Sequence, residues 1–123
     1  MGRPPVGESS EVEVTVTREM TARLFDREVH PVYGTAWMVR HVEESGRLAL
    51  EPYLDADEDA TGYRIELTHE RPGRVGDHLT VRARVVAAGP RECVTEHEVA
   101  GPTGLIGRAR FVQRYMRRGG FSA

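Results

Sequence analysis

Cysteine is almost missing from this chain. A single residue, Cys93, occurs in 123, so no internal disulfide can form and nothing suggests an oxidising compartment. An excess of one charge is missing too. Seventeen Lys and Arg face 19 Asp and Glu, without the basic surplus that marks a nucleic-acid-binding surface. No apolar run approaches the ~20 residues that a membrane span needs. The opening residues, MGRPPVGESS, have no apolar core of the signal-peptide kind, and Val6 stands where a myristoylation motif places Ser or Thr. No internal repeat occurs. These absences predict a soluble cytoplasmic protein that binds neither nucleic acid nor membrane. A chain of this length is expected to form one domain with one core. We expect a flexible arm over residues 1–10, the domain over 11–116 and a frayed tail over 117–123.

What is present is organised around Tyr33 to Leu54, YGTAWMVRHVEESGRLALEPYL, which predicts the one long helix. Ala36, Trp37, Met38, Val39, Val42, Leu48, Ala49 and Leu50 cover most of its circumference. Arg40, Glu43, Glu44, Arg47 and Glu51 form a narrow polar stripe. Such a helix is expected to be nearly enclosed by protein. Thr35, following Gly34, falls where an N-cap belongs, and Pro52 marks the far end.

The flanks read as β-structure. Glu11 to Thr17 alternates, with Val12, Val14 and Val16 on one face. Arg18 to Val32 is less regular; a short helical turn is expected around Ala22 to Arg27, in a position suited to a substrate lid. From Thr61 to Glu70, Tyr63, Ile65, Leu67 and His69 share one face. His78 to Ala88 turns Leu79, Val81, Ala83 and Val85 inward. Glu92 to Ala100 and Leu105 to Met116 complete the set, separated by turns rich in Gly and Pro. The predicted class is α+β: one long central helix wrapped by an antiparallel five-stranded sheet. One helix covers one face of a sheet and leaves long strand edges exposed, so self-association is expected, as a homodimer or a tetramer.

Several residues are candidates for chemistry, each beside a plainer role. His69 ends a strand in phase with its inward face, as a structural histidine or as a general acid or base. Glu43 falls mid-helix, either paired with Arg47 on a surface stripe or, at a seam between subunits, as a carboxylate of raised pKa. Thr35 caps the helix or stands beside N–H groups suited to a developing oxyanion. Asp55, Asp57, Asp59 and Glu66 have EF-hand-like spacing, but Ala60 replaces the required glycine and the next segment alternates like a strand, which argues against a metal. Arg108, Arg110, Arg114, Arg117 and Arg118 form a solvated face or meet the phosphates of a nucleotide-bearing substrate. Cys93 reads as a buried packing residue.

Two stretches, VYGTAWMVRHVEESGRLALEPYL and TGYRIELTHERP, resemble the fluoroacetyl-CoA thioesterase branch of the hotdog fold over roughly Val32 to Val86. The resemblance implies a catalytic set of a Thr at the helix start, a Glu eight residues on and a His at the end of the next strand. Here these are Thr35, Glu43 and His69. It also implies a substrate-holding glycine at Gly62 and an aromatic lid before the helix. By position the lid falls on Asp26 and Val29, leaving Phe25 and Tyr33 as the nearby aromatics, with Tyr33 taken as substrate-binding. The implied activity is hydrolysis of a small acyl-CoA or related acyl thioester at a dimer interface, with CoA part of the substrate and no separate cofactor. Fluoroacetyl specificity is not implied. A hotdog hydratase or dehydratase, or a non-catalytic acyl-thioester-binding module, are the rival readings.

Overall fold

The computed structural model describes residues 2–121. In chain order, β1 spans Ser9–Thr15, β2 Thr21–Leu24, β3 Arg27–Tyr33, α1 Thr35–Leu50, β4 Glu58–His69, β5 His78–Ala88, β6 Glu92–Gly101 and β7 Gly104–Arg117. Short 3-10 turns occupy Arg18–Met20 and Glu51–Tyr53. Five strands form one antiparallel sheet in the order β1-β5-β6-β7-β4, and β2 and β3 pair separately as a hairpin. The helix lies against one face of this sheet, chiefly over β1 and β5. This is the hotdog arrangement.

The alternation of β5 is borne out: Leu79, Val81, Ala83 and Val85 are fully buried. Leu79 and Val81 pack with Met38 and Val42 of α1 together with Val14, Val99, Ile106 and Phe111. Full burial of side chains such as Met38 and Val42 contributes roughly 1.5–3 kcal/mol each. A second cluster, Ala49, Leu50, Ala60, Val85 and Cys93, closes the other end of the helix. Cys93 is buried there as a packing residue.

Several expectations are corrected. The α-helix is shorter than Tyr33 to Leu54, because Pro52 lacks an N–H and the chain tightens into a 3-10 turn from Glu51. Its N-cap is Gly34, and Thr35 is the first helical residue. The helix is not enclosed within one chain. Met38, His41, Val42, Ser45, Gly46, Ala49 and Leu50 are buried, but Arg40, Glu43, Glu44 and Leu48 are exposed, the last at 48%. No helical turn forms around Ala22 to Arg27. That segment is a hairpin whose two-residue loop, Phe25 and Asp26, takes positive φ of 53° and 60°, the geometry of a type I′ turn.

Tyr63 does not share the inward face of Ile65. A bulge between Gly62 and Arg64 shifts the register against β7, leaving Tyr63 56% exposed with the Arg114 guanidinium over its ring at 3.4 Å. The first strand starts at Ser9, and the residues before it are docked. Arg3 lies over Tyr115 at 3.5 Å and binds both Glu58 carboxylate oxygens at 3.0 Å. At the other end, Arg118 donates to the carbonyls of Ala56 and Glu58. Met1 and residues 122–123 of the expected arm and tail lie outside the described residues.

Candidate active site

The start of α1 is pinned by backbone bonds on both sides. Tyr33 N–H donates to Gly73 O at 2.8 Å and Gly34 N–H to Met20 O at 2.8 Å. The end of β4 is pinned likewise, with the N–H groups of Glu70 and Arg71 both donating to Ile106 O at 2.7 and 3.1 Å. These two fixed ends bring together residues 34 apart in sequence: Thr35 Oγ1 lies 2.8 Å from His69 Nδ1. His69 Nε2 is buried and makes no hydrogen bond among the described residues. Burial lowers the His69 pKa, with the Arg71 backbone opposing, so the ring is held neutral at pH 7 and can accept a proton. The pair borders a cavity of about 300 Å³ that His30, Val32, Arg71 and Pro72 also line.

Glu43 is elsewhere. Eight residues along α1 correspond to a rise of ~12 Å, and Glu43 borders a second cavity of about 600 Å³ with Gly62, Leu48, Phe111 and Gln113. A Cβ at Gly62 would come within 3.1 Å of Glu43 Oε2 and 3.2 Å of the Phe111 ring. Glycine is what lets this carboxylate approach the strand. The expected Glu43–Arg47 pair does not form, because Arg47 is held by Glu51 at 2.8 Å and Asp59 at 2.9 Å. Arg40 pairs with Glu44. Glu43 is left without an ion pair among the described residues.

One chain therefore holds two separate groupings, Thr35 with His69 and Glu43 with Gly62. Tyr33 lines the cavity of the Thr35–His69 pair. Its side chain is 1% exposed, and its hydroxyl lies 2.5 Å from His41 Nδ1, which commits its polar atom to the interior. Sequence reasoning passed over His41 and His97. Both fall on positions in phase with buried neighbours, and that phase was the available signal. The C-terminal arginines are largely engaged: Arg108 with Glu70, Arg110 with Glu96 and Arg114 with Glu92. Asp59 and Glu66, drawn from the calcium-like spacing, stand on an extended strand and pair with Arg47 and Arg64.

Comparison with known proteins bears on the family and the fold. A family model described as fluoroacetyl-CoA-specific thioesterase matches residues 16–118. The solved structure of a Thermus thermophilus hypothetical protein, a thioesterase superfamily member, is 33% identical with a TM-score of 0.93, covering 98% of this chain and 89% of that one. A mutant of the fluoroacetyl-CoA-specific thioesterase FlK, in complex with fluoroacetate and CoA, is 24% identical with a TM-score of 0.89, covering 96% and 99%. A Streptococcus mutans protein bound to acetyl-CoA shares the fold at 14% identity and a TM-score of 0.76, covering 91% and 84%. No curated protein matches the chain significantly. Fold and family together define a hotdog-fold thioester hydrolase. The chain belongs to the fluoroacetyl-CoA-specific thioesterase family. No helix among the described residues is long and apolar enough to cross a membrane.

Proposed function

We propose that the protein hydrolyses a small acyl-CoA, or a related acyl thioester, with Thr35, Glu43 and His69 as its catalytic set and Gly62 beside the acyl group. The observation that carries this reading is the 2.8 Å contact between Thr35 Oγ1 and His69 Nδ1 beside an unpartnered, buried Nε2. A neutral imidazole held this way takes a proton from water and returns it to the departing thiol. Glu43 activates the water or attacks the carbonyl to form an acyl anhydride, and the N–H groups at the start of α1 stabilise the oxyanion. The reading needs no separate cofactor.

The set is completed between two copies of the chain. Strand β4 is an edge of the sheet, paired with β7 on one side only. Antiparallel pairing of β4 with its copy lays the Gly62 half of one strand beside the His69 half of the other, which moves one copy's Glu43 towards the other's Thr35. The same association covers the exposed face of α1 around Leu48. Acyl specificity is set near the hairpin, where Asp26 occupies the turn and Val29 is 42% exposed. The aromatic lid of the resemblance is absent from both positions, so the reading is a small acyl thioester without fluoroacetyl specificity.

The deciding experiment is free-thiol release from a panel of short acyl-CoAs, with wild type beside Glu43→Gln and His69→Ala. Turnover should fall by at least 100-fold in both folded variants, as loss of general acid–base groups costs 10²–10⁴-fold. Wild-type turnover in either variant sinks the assignment. A product with its acyl chain altered and its thioester intact would instead make the protein a hydratase.

A further inference from the structure

Beside His69, at the wall of the same cavity, lies a buried polar pair, Tyr33 and His41, that the proposed chemistry does not use. The Tyr33 ring meets the His69 ring edge-on, with centroids 6.1 Å apart and planes at 70°. Tyr33 is held in three ways. Its N–H donates to Gly73 O, and Gly73 packs so closely that an added Cβ would sit 3.1 Å from Tyr33 Cβ. Its hydroxyl lies 2.5 Å from His41 Nδ1, and the two rings are nearly parallel at 7°. His41 is itself 4% exposed and fixed by the α1 backbone, with Trp37 tilted against it at 5.8 Å.

A buried hydroxyl paired with a histidine is an unusual choice for the floor of a small domain. Phenylalanine over leucine would fill similar space without two polar atoms to satisfy. The pair instead fixes one ring plane. A tyrosine whose hydroxyl has a single acceptor cannot tilt without breaking that bond, so its face and edge present a constant wall to His69. Both groups are neutral near pH 7: burial raises the Tyr33 pKa and lowers that of His41, with Glu44 and Arg40 the charged groups acting on His41 in opposite senses. We assign the phenolic O–H as the donor and His41 Nδ1 as the acceptor, which puts the neutral imidazole's proton on Nε2.

We propose that Tyr33 and His41 are positioning residues, a buried hydrogen-bonded pair that fixes the ring plane of His69 so that Nδ1 faces Thr35 and Nε2 faces the reacting centre. The inference rests on His69 being the catalytic base of the proposed thioesterase. Its structural half, the fixed His69 ring, can be read without any substrate.

The test uses Tyr33→Phe, His41→Leu and His41→Asn in the full chain. Asparagine offers a carbonyl oxygen near the place of Nδ1, whereas leucine offers no acceptor. Two readouts are taken: the imidazole ¹⁵N signals of His69 in the substrate-free protein, and kcat and KM for thiol release. Tyr33→Phe and His41→Leu are expected to shift the His69 tautomer signals and to lower kcat about tenfold or more with KM little changed, the signature of a group that matters after binding. His41→Asn should restore both. Folded Tyr33→Phe and His41→Leu proteins with wild-type His69 signals would overturn the proposal, as would an Asn variant no better than Leu. If wild type releases no thiol, the thioesterase reading fails, while the ¹⁵N comparison still decides whether the pair positions His69.

Discussion

Gly62 shows how much a single missing methyl group can decide. The carboxylate of Glu43 and the ring of Phe111 both lie where a Cβ would intrude, at 3.1 and 3.2 Å. Gly62→Ala is expected to push Glu43 aside by a few tenths of an ångström and to lower kcat/KM severalfold, since rate depends on the placement of groups at a reacting centre. Thiol release with a thermal melt checks this, and a folded variant with unchanged kcat/KM counts against a role for Glu43 at that position. His97 supplies a second residue-scale prediction. Its Nδ1 lies 2.8 Å from Ser45 Oγ and its Nε2 2.7 Å from Thr95 Oγ1. The Ser45 hydroxyl is spent on Val42 O at 3.0 Å, so Nδ1–H donates to Ser45 and Nε2 accepts from Thr95. Burial pushes the His97 pKa down from 6.5 to about 4. Between those values the unfolded chain binds a proton that the folded one refuses, so stability rises with pH through the window and is lost on acidification. The loss is roughly 3 kcal/mol by pH 4. Urea melts at pH 7.5 and 4.5 should show it, and His97→Asn should flatten the difference.

At the scale of elements, the hairpin before the helix is the most exposed piece of the fold. Leu24 and Phe25 are 61% and 92% exposed, and Phe25 and Asp26 both occupy left-handed backbone. An Asn-Gly loop adopts this turn with less strain, so Phe25→Asn with Asp26→Gly is expected to stabilise the fold by about 1 kcal/mol. A lower melting temperature for the double variant argues against the turn geometry. The hairpin borders the His69 cavity through Ala22, His30 and Val32, so the same variant measures how much loop shape matters to turnover. Strand β4 shows an element with two tasks. Its inner residues pack toward the helix, and its free edge carries unpaired backbone groups.

At the scale of the whole molecule, the separation of Glu43 from the Thr35–His69 pair is the central feature. Co-expressed Glu43→Gln and His69→Ala chains form mixed dimers in which one site carries both intact groups, so about a quarter of sites should be active. Thiol release from that mixture, with neither parent variant active, checks the shared-site arrangement. A mixture as inactive as its parents means that the set acts within one chain.

Sequence periodicity determined the elements that bury a regular apolar face: the central helix, β5, and the order of one helix within a five-stranded sheet. Local pattern sufficed there because spacing alone says which side chains meet the core. The resemblance singled out Thr35, Glu43, His69 and Gly62 in advance. Tertiary structure decided what depends on contacts between distant residues. It took Arg47 from Glu43 and gave it to Asp59, and it turned Tyr63 outward through a bulge that no alternation announces. It folded Ala22 to Arg27 into a hairpin against its helical composition, and it bound the Tyr33 hydroxyl to His41 beneath the site. It also set Glu43 apart from the Thr35–His69 pair along one helix. A sequence states which groups are available, but their partners are chosen by the packing of elements far apart in the chain.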